Sequence, residues 1–221
     1  MLTMISLSEE NYLKAIYHLG QKYPAGVSTN ALAGKLETKA SSVTDMLKKL
    51  SVKGLVNYKK YQGASLSETG KQSAVAVIRK HRLWEVFLVE KLNFSWDEVH
   101  EVAEQLEHIQ SEKLIQELDR FLNFPRRDPH GDPIPDEQGK FAVLNKMLLA
   151  DLESGETGIC VGVRDSSSEF LQYLDKHKIA LGKEIKVLEK EEFDESLKIS
   201  VQGENMRISR AISVNLYIKT K

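Results

Sequence analysis

Apolar residues recur at helical spacing through the first part of the chain. They predict one helix over residues 8–20, with Ser8 as its cap and Gly20 at its end, and two more over 28–36 and 40–53. Two short strand-like runs then flank a turn at Gln62-Gly63. The order helix, helix, turn, helix and hairpin predicts a winged helix-turn-helix.

The rest of the chain changes character twice. Two longer helices are predicted over 72–92 and 96–122, and the segment after Pro125 is rich in proline. From about residue 141, five short β-type runs and one helix near 168–176 predict a small closed barrel. We therefore expect a mainly α fold with a small β part. Its predicted domains are a winged helix-turn-helix (1–72), a helical domain (73–125), a Pro-rich linker (126–150) and a small β-barrel (151–221).

Composition limits the class of protein. The chain has 221 residues, 41% of them hydrophobic and 29% charged, which is typical of a globular protein. The single cysteine, Cys160, rules out an internal disulfide and a multi-cysteine zinc site. The start of the chain does not read as a signal peptide, and no apolar run approaches the ~20 residues of a membrane span. We therefore expect a soluble cytoplasmic protein that is not associated with a membrane.

Charge is distributed unevenly along the chain, although the formal net charge is only −1. Residues 27–71 contain eight lysines and three acids, whereas residues 83–119 contain ten acids and two lysines. The predicted winged segment therefore suits a polyanion, and the helical middle suits cations.

The basic segment predicts a DNA-contacting face. The second helix of a helix-turn-helix enters the major groove, and the residues here are small and polar at its start. Its candidate contacts with base edges and phosphates, together with those of the wing, are Lys39, Ser41, Ser42, Thr44, Asp45, Lys48, Lys59 and Lys60. The alternative is a solvated basic face that binds nothing.

Histidines and carboxylates share helix faces in the acidic middle. His81 and Glu85 are four residues apart, and a second stripe falls within an arc of roughly 100° on the next predicted helix. The members of that stripe are His100, Glu104, Glu107 and His108. Imidazole and carboxylate ligands predict a divalent metal site between two helices. The alternative is a set of ordinary surface or hydrogen-bonded histidines and a solvated acidic face. His18, His130 and His177 fit no such pattern, and we interpret them as structural or exposed.

Several sequence stretches resemble one family of regulators. The stretches EENYLKAIYHL, ASSVTDMLKKLSVKGLV, KHRLWEVFL, HEVAEQLEHI and PHGDPIP resemble the metal-dependent repressors of the diphtheria toxin repressor and manganese transport regulator family. The resemblance covers residues 7–138, and the tail is similar to the FeoA-like domain of longer members. It implies that residues 73–125 form a metal-binding and dimerisation domain. It also implies a homodimer that binds a pseudo-palindromic double-stranded DNA operator and represses metal-uptake genes, with Mn²⁺ or Fe²⁺ as corepressor.

The resemblance also implies two metal sites. The primary site would contain Glu104, Glu107, His108 and Asn11, and the ancillary site would contain His81, Glu85, His100 and Glu169. Asparagine is a departure from the family pattern at position 11. Its amide oxygen, Glu10 or a water is expected to fill that place. Ser166 stands where some relatives have a second acid.

Two other functions remain as alternatives. One is a winged-helix regulator that senses a small organic ligand, and the other is a metal-dependent hydrolase with an accessory basic domain. The stretch HEVAEQLEH is superficially similar to the H-E-x-x-H zinc motif, but Glu104 occupies the place of the second histidine. We therefore expect a regulator and not an enzyme.

Overall fold

The computed structural model describes residues 5–143 and 145–220, and the chain divides into two compact units. The first unit holds the chain up to His81 together with Glu104–Ile115 and Pro135–Lys140. The second holds Arg82–Ala103, Gln116–Ile134 and the chain from Phe141 onward. No helix among these described residues has both the length and the apolar character that crossing a membrane requires.

The first unit has the predicted order of elements. It contains α1 (Leu7–Gly20), α2 (Thr29–Lys35), α3 (Ala40–Val52), β1 (Val56–Lys59), β2 (Gly63–Leu66) and the start of α4 (Glu68–Leu92). The apolar faces of the first three helices and the hairpin enclose one buried core, which includes Leu13, Leu32, Leu47 and Leu50. This arrangement confirms the helical part and the hairpin of the predicted winged helix-turn-helix.

The cap of α1 differs from the prediction. Ser6, not Ser8, caps the helix, because its Oγ accepts a hydrogen bond from the Glu9 amide at 3.4 Å. Glu9 Oε2 accepts one from the Ser6 amide at 2.8 Å in return. The spacing Ser-x-x-Glu is that of a capping box, which satisfies two backbone donors at once.

The wing requires glycine at one position. Gly63 has φ +89°, and a Cβ there would lie 2.8 Å from the Val27 carbonyl oxygen. The close approach lets Ala64 and Val27 exchange backbone hydrogen bonds of 2.8 Å, which attach the hairpin to the start of α2.

The single helix predicted over 96–122 is wrong. Two helices occupy this stretch, α5 (Val99–Leu106) and α6 (Glu112–Phe121), and residues 107–111 lie between them. The Ser111 hydroxyl accepts a hydrogen bond from the Leu114 amide at 3.3 Å and so begins α6. Glu107 and His108 therefore lie in a bend, so the helical arc does not explain how they meet other ligands.

The C-terminal part of the second unit is an open sheet. Its elements are β3 (Met147–Leu148), a 3₁₀ turn (Leu149–Asp151), β4 (Thr157–Val163), α7 (Ser168–Lys176), β5 (Glu184–Lys190), β6 (Leu197–Val201), β7 (Glu204–Ile208), α8 (Arg210–Ser213) and β8 (Leu216–Thr220). The strand order is β3-β8-β4-β5-β6-β7, and every described pairing is antiparallel.

The predicted closed barrel is therefore not confirmed. Strand β3 has only two residues and pairs with β8, and β7 pairs with β6, so no ladder among the described residues joins the two edges. The predicted strands and the helix near 168–176 do form. They enclose a core that includes Leu171, Ile185, Ile199 and Ile218.

Part of the predicted linker is an ordered turn of the second unit. Asp128 Oδ1 accepts hydrogen bonds from the amides of His130 and Asp132, each at 2.9 Å, and both Asp128 and His130 are buried. Gly131 has φ +87°, and a Cβ there would collide with the Val161 carbonyl oxygen. The stretch PHGDPIP therefore packs against β4, and glycine is required at its closest approach.

Candidate metal centre

Three ligand-type side chains converge in the first unit. His81 on α4, Glu104 on α5 and Glu107 in the following bend each offer one ligand atom, and these atoms lie within 4.8 Å of one another. Glu107 is fully buried, and its Oε2 lies 2.6 Å from His81 Nδ1. We name these three residues the first-unit cluster. A buried carboxylate requires positive charge or strong hydrogen-bond donors around it, so the cluster is suited to bind a cation.

His108 is held beside this cluster by Glu10. Its Nδ1 lies 2.5 Å from Glu10 Oε2, and its Nε2 lies 3.7 Å from Glu107 Oε1. Gln110 Nε2 donates to the other Glu10 oxygen at 2.9 Å, which fixes that carboxylate. With a proton on Nδ1 donated to Glu10, the lone pair of Nε2 faces Glu107. This is the arrangement of a metal-binding histidine with a carboxylate behind it.

Asn11 on α1 has an unsatisfied side-chain oxygen. Its Oδ1 is buried and has no hydrogen-bond partner among the described residues. A buried amide oxygen without a donor costs about 1–3 kcal/mol, so such an atom needs an explanation. A metal ion is a suitable partner, and the neutral amide oxygen is a ligand for hard divalent cations.

Lys14 is a residue of this cluster that the sequence analysis missed. Its Nζ lies 2.7 Å from Glu104 Oε1, 2.6 Å from Glu107 Oε1 and 2.7 Å from Glu107 Oε2. Lys14 follows Asn11 by three residues on α1, so the two share a helix face. That spacing was visible in the sequence, but the side chain reads as an ordinary surface lysine until the fold brings the carboxylates to it.

A second group of ligand atoms lies in the second unit. Glu85, Asp128 and His130 are all buried, and their ligand atoms lie within 4.8 Å of one another. Glu85 Oε1 is 3.6 Å from His100 Nδ1 and 3.7 Å from His130 Nδ1. His130 Nε2 is 2.7 Å from the Trp96 carbonyl oxygen, to which it donates. We name Glu85, His100, Asp128 and His130 the second-unit cluster.

Burial and neighbouring charges shift the pKa values of two residues in the second-unit cluster. Burial and the neighbouring Glu85 and Asp132 carboxylates raise the pKa of Asp128 to about 7. Burial alone would lower the pKa of His130, but its contact with Glu85 outweighs that effect and raises the pKa to about 9. Asp128 and His130 were not among the predicted ligands, and His130 was interpreted as structural or exposed. The stretch PHGDPIP was the only sequence signal for them.

The predicted ligands are therefore divided between the units. His81 belongs to the first unit with Glu104, Glu107, His108 and Asn11, whereas Glu85 and His100 belong to the second. Glu169 is exposed in the first turn of α7, and the candidate ligand groups found among the described residues do not include it. The assignment of these residues to a primary and an ancillary site stays a prediction.

The predicted DNA-contacting side chains are mostly exposed. Those with exposed side chains are Lys39, Ser41, Ser42, Asp45, Lys48, Lys59 and Lys60. Thr44 is half-buried, and its hydroxyl donates to the Ala40 carbonyl at 2.9 Å. At the wing tip Lys60 Nζ lies 4.9 Å from the centre of the Tyr61 ring, and Tyr61 is 92% exposed.

Ion pairs with the buried Glu9 attach α3 and its C-cap to α1. Glu9 is fully buried, and its Oε1 lies 2.8 Å from Lys53 Nζ and 3.2 Å from Lys49 Nζ. Burial alone would raise the pKa of Glu9, but the hydrogen bonds from Lys53, the Ser6 amide and Lys49 outweigh it and bring the pKa to about 2. Glu9 precedes Glu10, which contacts His108, so the start of α1 is attached both to the basic helix α3 and to the bend that holds Glu107 and His108.

Three protein-family models match consecutive parts of the chain. Residues 4–64 match the N-terminal DNA-binding domain of iron-dependent repressors, and residues 67–136 match their metal-binding and dimerisation domain. Residues 147–220 match the FeoA domain.

Solved structures match almost the whole chain. A manganese-dependent transcriptional repressor in complex with manganese is 32% identical, with 96% of this chain and 99% of that chain covered and a TM-score of 0.84. The manganese regulator SloR is 34% identical, with 99% and 100% covered and a TM-score of 0.74.

Curated relatives match over a shorter stretch. The iron-dependent repressor IdeR of Mycobacterium tuberculosis is 34% identical over 126 residues, which are 57% of this chain and 54% of that protein. The match thus spans about half the length of this curated relative.

Proposed function

Because the chain belongs to the family of iron- and manganese-dependent transcriptional repressors, we propose that it represses metal-uptake genes with Mn²⁺ or Fe²⁺ as corepressor. The observation that carries the proposal is the first-unit cluster, which Lys14 of α1 contacts. We propose that the buried, unsatisfied Oδ1 of Asn11, three residues earlier on α1, completes its ligands. Neither the sensor of an organic ligand nor the hydrolase finds support in the comparisons.

The ion would be held by side chains from two parts of the first unit. Asn11 Oδ1 comes from α1, while Glu104, Glu107 and His108 Nε2 come from α5 and the bend after it. A bound divalent ion would supply two positive charges to carboxylates that repel one another unless a cation lies among them. Binding therefore favours the arrangement in which α1 lies against the bend, by the difference in affinity between that arrangement and others.

The proposed ligands favour one class of metal ion. The candidate ligands are oxygen and imidazole nitrogen, and sulfur is absent from the cluster, so hard cations are preferred. Glu10 holds the His108 ring so that Nε2 faces the other ligands, and His81 donates toward Glu107. We expect activation by Mn²⁺, with Fe²⁺ also effective.

We propose that the second-unit cluster holds a second ion. Glu85 Oε1 faces two imidazole nitrogens at 3.6 and 3.7 Å, which are separations that two ligands of one ion can have. His130 donates its other ring nitrogen to a backbone carbonyl, as metal-binding histidines commonly do. The second ion would reinforce the fold of this unit.

DNA recognition is proposed for α3 and the wing. The exposed small residues Ser41 and Ser42 can approach base edges, and Lys39, Lys48, Lys59 and Lys60 can neutralise phosphates. Asp45 is 3.3 Å from Lys48, and the Thr44 hydroxyl still has acceptor capacity after donating to Ala40. These residues would read one half of a pseudo-palindromic operator.

A homodimer is proposed because α6 leaves apolar side chains uncovered. Ile115 and Leu118 are buried, whereas Leu114 is 40% and Phe121 is 60% exposed. Phe124, just beyond the helix, is 61% exposed. A twofold interface over such residues would present two recognition helices to two half-sites.

The test is DNA binding at the promoter of a candidate metal-uptake gene. Fluorescence anisotropy is measured with chelator, with Mn²⁺, and with Fe²⁺ under anaerobic conditions. We expect each metal to tighten binding at least tenfold, Asn11→Asp to keep the response and Asn11→Leu to lose most of it. Metal-independent binding would refute the proposal, and a response to Fe²⁺ alone would refute the preference for Mn²⁺.

A further inference from the structure

Lys14 places an ammonium group among the carboxylates of the first-unit cluster. Its Nζ is within 2.7 Å of Glu104 Oε1 and of both oxygens of Glu107. An ammonium has three hydrogens, so these three contacts use its full donor capacity. The Lys14 side chain is only 14% exposed and Glu107 is fully buried, so solvent screens the interaction weakly.

The ammonium and a metal ion need the same oxygens. Carboxylate oxygens bind divalent ions at about 2.0–2.2 Å, and all three oxygens that Lys14 contacts belong to the proposed ligands. A carboxylate has spare lone pairs, so the obstacle to joint occupancy is charge and not lone-pair number. A cation of charge two and an ammonium around the same two carboxylates repel each other strongly where water is scarce.

The Lys14 ammonium is also able to move out of the first-unit cluster. Its charge sits at the end of a flexible four-carbon stem, unlike the planar guanidinium of arginine. Its partner Glu104 is 39% exposed, so one side of the cluster borders solvent into which the ammonium can move. Asn11, three residues earlier on α1, stays in place when the lysine side chain changes rotamer.

We propose that Lys14 is the internal cation of the metal site: it neutralises Glu104 and Glu107 in the metal-free protein and is displaced by the ion. This inference rests on the proposed function, because it concerns the same site. Lys14 thereby weakens metal binding and sets the concentration at which the ion binds. It also keeps the ligands assembled before the metal arrives, because without it two carboxylates would repel each other.

The experiment uses the full chain with its metal removed by chelation. Mn²⁺ affinity is measured by isothermal titration calorimetry and by competition with a fluorescent chelator, and thermal unfolding of the metal-free protein is followed in parallel. The variants are Lys14→Met, which keeps the stem without the charge, and Lys14→Arg, which keeps the charge. Lys22→Met, an exposed lysine just after α1, is the matched control.

We expect Lys14→Met to bind Mn²⁺ at least tenfold more tightly than the parent and to unfold at a lower temperature without metal. Lys14→Arg should bind no more tightly than the parent, and Lys22→Met should match the parent in both measurements. If Lys14→Met does not fold without metal, Lys14→Gln is measured instead, with the same expectation for affinity.

Two results would overturn the inference in distinguishable ways. If the parent binds Mn²⁺ and the neutral variants bind it equally or more weakly, Lys14 supports the bound state and is not displaced, while the proposed function stands. If the parent binds no divalent ion at all, the proposed function fails and the inference fails with it.

Discussion

The two units of this chain neutralise their buried carboxylates in different ways. In the first unit, Glu107 contacts Lys14, a flexible ammonium with one partner near solvent. In the second, Asp128 is held by two backbone amides and by Arg82, whose Nε lies 3.3 Å from Asp128 Oδ2. Backbone amides cannot withdraw, whereas a lysine side chain can. The first-unit cluster is thus suited to exchange its cation, and the second-unit cluster to maintain its geometry.

The two units also differ in whether their proposed functional charged residues are exposed. The charged groups of α3 and the wing are exposed in the first unit, where salt can screen them. Charged side chains are buried in both units: Glu9 and Glu107 in the first, and Glu85, Asp128 and His130 in the second. The sheet core of the second unit also contains the only cysteine of the sequence. Changes at the exposed groups of α3 and the wing should therefore affect binding, and changes at the buried groups of the second unit should affect stability.

The largest expected effect is on binding, from His108→Ala. This change removes the Nε2 that faces Glu107 but leaves a residue outside the core, so fold and dimer should persist. Metal-stimulated operator binding should fall about 100-fold. Losing a group that supports a metal site commonly lowers metal affinity by about 10- to 100-fold, and we expect a proposed ligand to lie at the upper end. Weak binding through the lysines should remain. His18→Ala, an exposed histidine on α1, is the control, and an equal loss in both variants would contradict the assignment.

Asp128→Ala tests the second unit and should act on stability. The amides of His130 and Asp132 would lose their acceptor, which we expect to cost about 2–3 kcal/mol in the free energy of unfolding. Asp128→Asn keeps an acceptor oxygen without the charge, so at pH 8 it should cost much less than alanine. Urea denaturation with metal removed measures both. If both variants lost the same free energy of unfolding, the charge of Asp128 and not its hydrogen bonds to the turn would account for its contribution.

Much of the fold follows from local patterns in the sequence. The helices of the first unit, the wing hairpin and the strands of the tail were predictable because each depends on its own apolar spacing and turn residues. The closed barrel was not, because closure depends on whether edge strands meet. Here β3 is too short to do more than pair with β8.

The candidate site was predictable only in part, for a related reason. Helical spacing and the family resemblance identified Glu104, Glu107 and His108, but the helix ends at Leu106 and the last two lie in a bend. Lys14 is separated from Glu107 by 93 residues in sequence, and nothing local marks an ammonium that will meet two carboxylates. Asp128 and His130 were hidden in a proline-rich stretch that resembles a linker.

A smaller effect on binding is expected from Lys60→Ala at the wing tip. Lys60 is exposed and its proposed role is to neutralise one phosphate, so binding should weaken about fivefold on all sequences alike. The slope of log affinity against log salt should fall by about one unit. Anisotropy titrations at several salt concentrations measure this, with Lys22→Ala as control. An unchanged slope would place the wing away from DNA.

A comparably small effect, on stability instead of binding, is expected from the Cys160 thiol, which tests whether the second unit is closed to solvent. Burial raises the pKa of Cys160 to about 11, and the residue is 1% exposed. The thiol has a pKa of about 9 in the unfolded chain, so its burial does not lower the free energy of unfolding well below pH 9. As the pH rises from 9 toward 11, the unfolded chain ionises and the folded protein does not, so the free energy of unfolding falls. Between pH 8 and pH 10, the free energy of unfolding of the parent should therefore fall by about 1 kcal/mol relative to that of Cys160→Ala, because the unfolded thiol ionises in this range and the folded one does not.

At pH 8 the native thiol should react with a disulfide reagent only as fast as the unit opens, because thiolate is the reactive form and little is present. Rapid modification of native protein at pH 8 would show that the sheet opens readily, and would remove the contrast between a rigid second unit and an exchangeable first one.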